Sequence, residues 1–220
     1  MSRLKAFRSA VCVALCLLGV GNASATLIDN SDGTVTQIRG DGSRLVWLKD
    51  ANYAQTSGFD ADGQMNWFQS MDWAATLNFA GFSDWRLPSA LNIDGTGPCD
   101  SLNCTNSEMG NLYYVEFGGQ PFAPPLDWTP FINVQYLIYS DYWTSTDGTS
   151  PSVPNAARVF NFTFGDSGET GIGKLQNNFP AYAWAVRDVP AIPEPETYAM
   201  MLAGLGMLGF AARRRKQRTA

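Results

Sequence analysis

The sequence has 220 residues, of which 15 are basic, 20 are acidic and none is histidine, and this length allows one domain with terminal processing segments. The lack of histidine excludes Ser-His-Asp and Cys-His catalysis and histidine-based metal sites. Between Thr26 and Pro190 the chain has 7 basic and 18 acidic residues, a net charge of −11, and we expect no nucleic-acid partner because such a domain repels phosphate.

The N-terminus has the parts of a secretory signal peptide. Basic residues come first, the stretch from Ala10 to Val20 is uncharged and apolar, and Asn22-Ala-Ser-Ala25 supplies the small residues that signal peptidase needs. We therefore predict a signal peptide over residues 1–25, cleaved between Ala25 and Thr26. An uncleaved membrane anchor is the alternative, and the short apolar stretch argues against it.

The first part of the mature chain predicts strands followed by a helix. Thr34–Ile38 is β-prone and Leu45–Leu48 is a short apolar run, with a glycine-containing loop between them. Asn66 predicts the start of a helix that ends near Asn78, because its side chain can cap the first turn and Gln69 completes a capping-box pattern.

Cys99 and Cys104 are the two cysteines outside the signal peptide. Two cysteines in an exported protein predict one disulfide, which here closes a short loop. A zinc site is the alternative, but two thiolates in a chain without histidine make a poor one.

The rest of the domain predicts a second helix and then strands. Ser107 can cap a helix over Glu108–Phe117, which is followed by two glycines. Three later segments have the composition or the alternation of strands: Tyr142–Thr146, Arg158–Phe164 and Tyr182–Arg187. Strands, two helices and strands in this order predict the α+β class, with antiparallel strands in a single domain over residues 26–190.

The C-terminus differs in kind from the domain. Residues 191–196 form a linker that contains Pro193-Glu194-Pro195, residues 197–212 are uncharged, and residues 213–220 are mostly basic. The uncharged stretch predicts a transmembrane helix, with arginine side chains that reach the headgroups. The basic tail is expected on the cytoplasmic side, which leaves the domain outside.

This tail resembles the PEP-CTERM sorting signal, in which a Pro-Glu-Pro triplet precedes an apolar helix and an arginine cluster, here Arg213, Arg214 and Arg215. The resemblance implies processing by an exosortase, an intramembrane cysteine-type enzyme of Gram-negative bacteria that make exopolysaccharide. It also implies an address that unrelated domains share, namely the periplasmic side of the inner membrane before processing and the cell surface or extracellular matrix afterwards. A plain single-pass anchor is the alternative.

The domain resembles the Lcl C-terminal family, a family of secreted bacterial domains of unknown function. The most diagnostic piece is Asp84-Trp-Arg-Leu-Pro88, and further matching segments are Leu45–Asp50, Tyr142–Thr146 and Ala183–Arg187. The resemblance implies a C-type-lectin-like fold, and some relatives of that fold bind glycans.

Aromatic and charged residues of the domain supply candidate contacts. Most of the seven tryptophans fit strand and helix interiors and are expected in the core. Trp128, in a proline-rich loop, is the candidate for an exposed platform on which a sugar ring could stack. Asp84, Arg86 and Arg187 are candidates for a functional role, but we expect Asp84 and Arg86 instead to tie the segment around Trp85 to neighbouring strands as a fixed polar pair.

Loops with aspartate and glycine leave calcium open as a ligand, because calcium favours oxygen-rich turns. None of these loops fits the EF-hand pattern, and Asp-Gly is also a plain turn signal. The aspartates concerned are Asp29, Asp32, Asp60, Asp62 and Asp94.

The sequence selects no catalytic centre. We therefore predict a non-catalytic surface or matrix protein that binds polysaccharide or another envelope component, with signal peptidase and an exosortase as processing partners. Two alternatives stay open: an envelope enzyme that acts on glycans through carboxylates, and a structural matrix component without a ligand.

Overall fold

The computed structural model describes residues 26–137, 140–148, 155–169, 174, 181–190 and 201–205. These residues form a mixed α+β domain with two sheets rich in antiparallel pairs, which confirms the predicted class. Among them the strands are β1 (Thr26–Asp29), β2 (Thr34–Ile38), β3 (Arg44–Leu48), β4 (Gln64–Met65), β5 (Asp141–Asp147), β6 (Ala157–Asn161), β7 (Asp166–Glu169), β8 (Ala181–Tyr182) and β9 (Val186–Val189). The helices are α1 (Tyr53–Thr56), α2 (Trp67–Thr76) and α3 (Glu108–Asn111), and a π-helical turn over Leu112–Glu116 continues α3.

The first sheet has the strand order β1-β2-β3-β9 and is antiparallel throughout. Its register aligns Thr26, Ile38, Arg44 and Val189 in one row across the four strands. The first and last strands of the domain therefore begin and end at the same end of this sheet.

The second sheet has the strand order β4-β8-β5-β6-β7. The pair of β5 and β8 is parallel, and the other pairs are antiparallel. The register of β5, β6 and β7 aligns Asp141, Asn161 and Asp166 across three neighbouring strands. Three polar side chains are thereby brought to one end of the sheet.

The chain passes from the second sheet to the first at Trp184, between β8 and β9. The Trp184 ring is fully buried and lies 5.2 Å from the ring of Trp47 and 5.8 Å from that of Phe162. Its Nε1 donates to the carbonyl of Leu48 at 2.8 Å. The prediction of one continuous strand over Tyr182–Arg187 is wrong, because the chain changes sheets within it.

The tryptophans form the centre of the core, as the sequence predicted for most of them. Each is exposed by 9% or less: Trp47, Trp67, Trp73, Trp85, Trp128, Trp143 and Trp184. Several indole N–H groups donate to buried oxygens, for example Trp143 to the carbonyl of Met65 and Trp67 to that of Thr144, both at 2.7 Å. Burying a ring of this size stabilises the fold by several kcal/mol, at about 25 cal/mol for each Å² removed from water.

Helix α2 begins with the capping box that the sequence predicted. The side chain of Asn66 accepts from the N–H of Gln69 at 3.0 Å, and the side chain of Gln69 accepts from the N–H of Asn66 at 3.1 Å. The helix ends at Thr76, two residues before the predicted end.

The second predicted helix begins as expected but changes its geometry. Ser107 caps it by accepting from the N–H of Gly110 at 3.3 Å. Its α-helical part ends at Asn111, and the π-helical turn over Leu112–Glu116 follows, with the N–H of Phe117 donating to the carbonyl of Leu112. The wider turn corrects the prediction of a regular helix over Glu108–Phe117.

Strand β6 is shorter than its alternating sequence predicted. The prediction covered Arg158–Phe164, but the strand ends at Asn161. The Asn161 side chain accepts from the N–H groups of Thr163 and Phe164 at 2.8 and 3.1 Å, which turns the chain toward β7. Side-chain capping of this kind competes with continuation of the ladder.

In the C-terminal tail the structure describes residues 201–205, which are helical. Across the described ranges, none of the helices combines the length and the apolarity needed to cross a bilayer. Several predictions lie wholly or mostly outside the described residues: the signal peptide over 1–25 with Ala25, the linker with Pro193, Glu194 and Pro195, the membrane helix over 197–212, and the basic tail with Arg213, Arg214 and Arg215.

Candidate functional site

Two arginines fix the irregular Asp-Trp-Arg-Leu-Pro segment to β9 and α3. Arg187 donates to both carboxylate oxygens of Asp84, at 2.7 and 2.9 Å. Arg86 donates to both oxygens of Glu108, at 2.8 and 2.7 Å, and to both of Asp188, at 2.9 and 2.8 Å. We call these five residues the arginine clasp. Asp84 and Arg86 tie the segment to neighbouring elements, as expected, but each bonds to other residues. The sequence did not indicate Arg187, Glu108 and Asp188 as their partners.

Two arginines compensate most of the charge of three carboxylates in the arginine clasp. The Arg187 guanidinium lowers the pKa of Asp84, and that of Arg86 lowers the pKa of Asp188. Burial opposes the charge of Arg86, but its hydrogen bonds to Glu108 and Asp188 outweigh burial and raise its pKa. Each clasp carboxylate therefore has a cationic partner. The charged groups of the clasp bind one another.

The turn between β6 and β7 has a different character. We call residues 161–166 the β6–β7 corner. Gly165 has a φ of +70°, and an added Cβ would lie 2.5 Å from the Tyr114 hydroxyl and 2.6 Å from the Tyr113 ring. The Tyr114 hydroxyl donates to the Gly165 carbonyl at 2.6 Å. Close packing beneath the corner thus requires glycine at this position.

Two carboxylates at the corner lack the compensation found in the clasp. Asp141 and Asp166 flank Asn161 in the register, so the three side chains share one face of the sheet. Asn161 donates to Asp141 at 2.7 Å. The salt bridges found among the described residues include neither Asp141 nor Asp166, and Asp166 Oδ1 is buried without a hydrogen-bond partner there.

The pKa values of these two carboxyls are shifted upward. Burial raises the pKa of Asp141, and the nearby charge of Asp166 raises it further. Burial also raises the pKa of Asp166, to which the charge of Asp100 adds. Such a pair favours ligands that donate hydrogen bonds, because hydroxyl groups can satisfy the carboxylate oxygens.

An exposed aromatic ring lies beside the corner. Phe122 is 68% exposed, more than any other aromatic side chain in the described part of the chain. Its ring lies 5.7 Å from that of Phe164, and its N–H donates to the Phe164 carbonyl at 3.0 Å. We call Phe122 and Phe164 the phenylalanine platform. A flat apolar surface can contact the ring face of a sugar, and carboxylates can accept from its hydroxyl groups.

The backbone of Phe122 is held in a conformation that glycine prefers. Gln120 and Ala123 exchange backbone hydrogen bonds of 3.1 and 2.9 Å around Pro121 and Phe122. Proline suits the second position of such a turn, but Phe122, at the third, has a φ of +61°. A bulky residue in the left-handed region costs about 1–3 kcal/mol. The exposed ring of Phe122 therefore lies on a strained turn that the rest of the fold maintains.

The disulfide loop supports the same corner. Cys99 and Cys104 are bonded, with their Cα atoms 5.6 Å apart, in agreement with the predicted disulfide. The N–H of Asn103 donates to the Tyr114 hydroxyl at 3.0 Å, and Ser101 pairs with Ser167 of β7 through two backbone hydrogen bonds. The loop thus covers the edge of β7 and helps to hold Tyr114 beneath Gly165.

Trp128 is not an exposed platform, so that prediction is wrong. Only 8% of the residue is exposed, and its ring packs 5.0 Å from Phe117 and 5.5 Å from Phe162. Its indole N–H is buried and has no hydrogen-bond partner among the described residues. The proline-rich loop folds inward at this point and contributes to the core.

The aspartates considered for calcium form local turns. Asp29, Asp32, Asp60, Asp62 and Asp94 each accept hydrogen bonds from backbone N–H groups two or three residues later, as in ordinary aspartate turns. Within the described ranges, no group of three or more acidic or cysteine side chains has a geometry suited to a metal ion.

A small apolar pocket lies beyond the end of β3. Its volume is about 130 Å³, and its lining includes Gly33, Leu48, Tyr53, Phe79 and Ile132. It has almost no polar surface, whereas the β6–β7 corner combines apolar and polar groups. The corner is therefore the better candidate for a glycan.

The sequence did not indicate Phe122, Phe164, Asp141 or Asp166 as site residues. One local signal was available, because proline favours the second position of a tight turn and turns lie at the surface. Asp141 and Asp166 meet only through the register of three strands.

Comparison with known families agrees with both resemblances. The Lcl C-terminal domain model matches residues 36–187, and the PEP-CTERM protein-sorting motif model matches residues 191–216. No curated protein and no solved structure matches the chain. The sorting motif marks an exported protein of Gram-negative bacteria that an exosortase processes and directs to the cell surface. Since the first match covers more than half of the 220 residues, the chain belongs to the family of proteins with an Lcl C-terminal domain.

Proposed function

We propose that this protein binds polysaccharide at the cell surface or in the extracellular matrix without catalysing a reaction, and that the β6–β7 corner is its binding site. The phenylalanine platform carries the proposal, since Phe122 is 68% exposed and held in a strained turn. Strain of this kind recurs at functional sites, where the surrounding fold maintains it. A sugar ring would stack on the platform while its hydroxyls donate to Asp141 and Asp166.

The acidity of the domain restricts the glycan class. A net charge of −11 between Thr26 and Pro190 disfavours strongly anionic polymers. Neutral glycans with free hydroxyl groups suit the corner better, because the carboxylates there accept hydrogen bonds.

The proposal includes the route to the surface. Export would use the signal peptide over residues 1–25, removed by signal peptidase before Thr26, and residues 197–212 would anchor the chain in the inner membrane before the exosortase acts. The helical conformation of residues 201–205 supports the proposal that this stretch forms the membrane anchor. A C-type-lectin-like arrangement is also part of the proposal, supported by the terminal strands β1 and β9 lying in the same sheet.

One observation favours a second function. The raised pKa values of Asp141 and Asp166 suit glycan hydrolysis, in which one carboxyl stays protonated as an acid while the other acts ionised. Release of reducing ends from the bound polysaccharide would distinguish this activity from binding alone.

The test measures binding of the purified full chain, in detergent, to the exopolysaccharide of its host. We expect saturable binding that weakens at least 10-fold in Phe122→Ala, which corresponds to about 1.4 kcal/mol. Phe68→Ala is the matched control, because Phe68 is a 44% exposed phenylalanine on α2, away from the corner, and it should bind within two-fold of the wild type.

Binding should also be measured with calcium and with a chelator. Loss of binding in the chelator would add calcium to the site. Absence of binding by a folded chain in both conditions would contradict the proposal and leave a structural matrix component.

A further inference from the structure

Both ends of the domain leave the first sheet at the same end, from its two outer strands. Thr26, Ile38, Arg44 and Val189 form one row across β1, β2, β3 and β9. Neighbouring strands lie about 4.8 Å apart, so three steps separate Thr26 from Val189 by about 14 Å. We call Thr26, residues 39–44 and Val189 the terminal edge.

Very little chain separates the terminal edge from the sorting motif. Strand β9 ends at Val189, and the motif match begins at residue 191. Pro193 follows Val189 by four residues, which span at most about 14 Å when fully extended. A domain of this size is roughly 40 Å across. An enzyme that binds the motif must therefore come into contact with the end of the domain from which the motif leaves.

The loop at the terminal edge is ordered and offers a surface with small side chains. The N–H of Arg39 donates to the Ser43 carbonyl at 2.9 Å, and the N–H of Ser43 donates to Asp41 at 2.9 Å. The Arg39 side chain is 8% exposed and donates to the Ser43 hydroxyl at 2.8 Å, so it does not project from the loop. Gly42 and Arg44 are exposed. A partner can thus approach the backbone closely and contact the exposed side chain of Arg44.

The opposite end of the same sheet provides an internal reference. There the row consists of Asp29, Val35, Trp47 and Val186, and the apolar pocket with Thr56 lies beyond it. Thr56 is exposed, as Arg44 is, but the two rows lie three residues apart along the strands, which is about 10 Å. The two positions therefore report on opposite ends of the domain.

We propose that the terminal edge is the surface on which the exosortase docks when it processes the C-terminal motif. The domain can be fully folded at that stage, because its last strand, β9, ends at Val189, before the motif match begins at residue 191. The contact follows from the short connection between Val189 and the motif, and it does not depend on glycan binding at the corner.

The experiment uses photo-crosslinking of the full chain in cells that contain an exosortase without its active-site cysteine, so that substrate is retained. Arg44→benzoylphenylalanine should crosslink to the exosortase, and Thr56→benzoylphenylalanine should give at least five-fold less. Ala191→benzoylphenylalanine, inside the motif, establishes that the enzyme is engaged. Each variant is also tested with active exosortase, where cleavage shows that the domain has been exported and sorted.

A second variant tests the role of the short connection. An insertion of eight Gly and Ser residues after Pro190 should lower the crosslink from position 44 at least three-fold while position 191 still crosslinks.

Three results would overturn the proposal. Crosslinks from position 44 to lipid alone would mean that this end of the domain faces the membrane surface rather than the enzyme. Crosslinks from position 191 without any from position 44 would mean that the enzyme binds the motif away from the domain. Equal crosslinks from positions 44 and 56 would mean that the exosortase has no preferred side.

Discussion

The carboxylates of the arginine clasp and those of the β6–β7 corner belong to one domain, but their surroundings have opposite effects on protonation. In the clasp, arginine hydrogen bonds lower the pKa values of Asp84 and Asp188. At the corner, burial raises the pKa values of Asp141 and Asp166. The difference separates groups that hold the fold together from groups that the fold maintains at a cost. We therefore expect substitutions to stabilise or destabilise the protein according to the region they affect.

The largest expected effect is on the clasp. Arg86→Ala leaves the buried carboxylate of Glu108 without its cation and should lower the free energy of unfolding by about 3 kcal/mol. Urea unfolding of the full chain in detergent measures this loss. Arg44→Ala is the control, because Arg44 is exposed on β3, and its effect should stay within about 0.5 kcal/mol. Equal stabilities of the two variants would mean that the clasp does not hold the segment.

A smaller loss is expected from the backbone of the corner. Gly165→Ala introduces a Cβ that contacts the Tyr114 hydroxyl at 2.5 Å in the left-handed region, and it should cost about 2 kcal/mol. Gly168→Ala, three residues later on β7, meets no atom within 4 Å and is the matched control. Glycan binding should weaken in the first variant only. Unchanged stability and binding in Gly165→Ala would contradict the role of Tyr114 as support.

The third expected effect is on how the free energy of unfolding depends on pH, and its sign is opposite in the two regions. Because the folded-state pKa of Asp141 lies above 3.8, this carboxyl contributes stability that is complete below that pH and is lost as the pH rises through the folded value. Asp141→Asn should therefore raise the free energy of unfolding at pH 7, by about 1 kcal/mol or less, with the gain vanishing in acid.

Asp188→Asn should do the opposite, which makes it the comparison variant. The folded-state pKa of Asp188 lies below 3.8, so its contribution is present at neutral pH and is lost as the pH falls through that lowered value. Unfolding of both variants and of the wild type across pH 3–7 measures the two signs. Shifts of the same sign would contradict the electrostatic contrast between the clasp and the corner.

The smallest effect on stability is expected at the platform. Phe122→Gly removes the strain of a bulky residue at a φ of +61° but adds the backbone entropy of glycine to the unfolded chain. These changes offset each other, so the free energy of unfolding should shift by less than about 1 kcal/mol. Glycan binding, measured by titration on the same sample, should nevertheless be lost. Retained binding would mean that the phenylalanine platform is not part of the binding site.

Local capping and composition were predictable from the sequence. Asn66 with Gln69 and Ser107 act within one helical turn, so their neighbours along the chain determine what they bind. The disulfide between Cys99 and Cys104 could be predicted because an exported protein with two cysteines outside its signal peptide is expected to pair them. These features need no knowledge of which strands pair.

Features that depend on long-range packing were not predictable. Trp128 lies in a proline-rich loop, which suggested exposure, but its ring packs against Phe117, just after the π-helical turn, and Phe162, just after β6. The alternation around Trp184 is the same whether a strand continues or passes into a second sheet. Asp141 and Asp166 are 25 positions apart in the sequence, and only the register of β6 aligns them.

The last two strands of the domain set the order in which it can be completed. Strand β8 lies inside the second sheet, between β4 and β5, and β9 closes the first sheet beside β3, with Trp184 between them. A chain that crosses a membrane from its N-terminus thus delivers the missing strand of both sheets at the very end, within residues 181–189. Until then neither sheet is complete, so the full core of the domain can form only after the final segment has emerged.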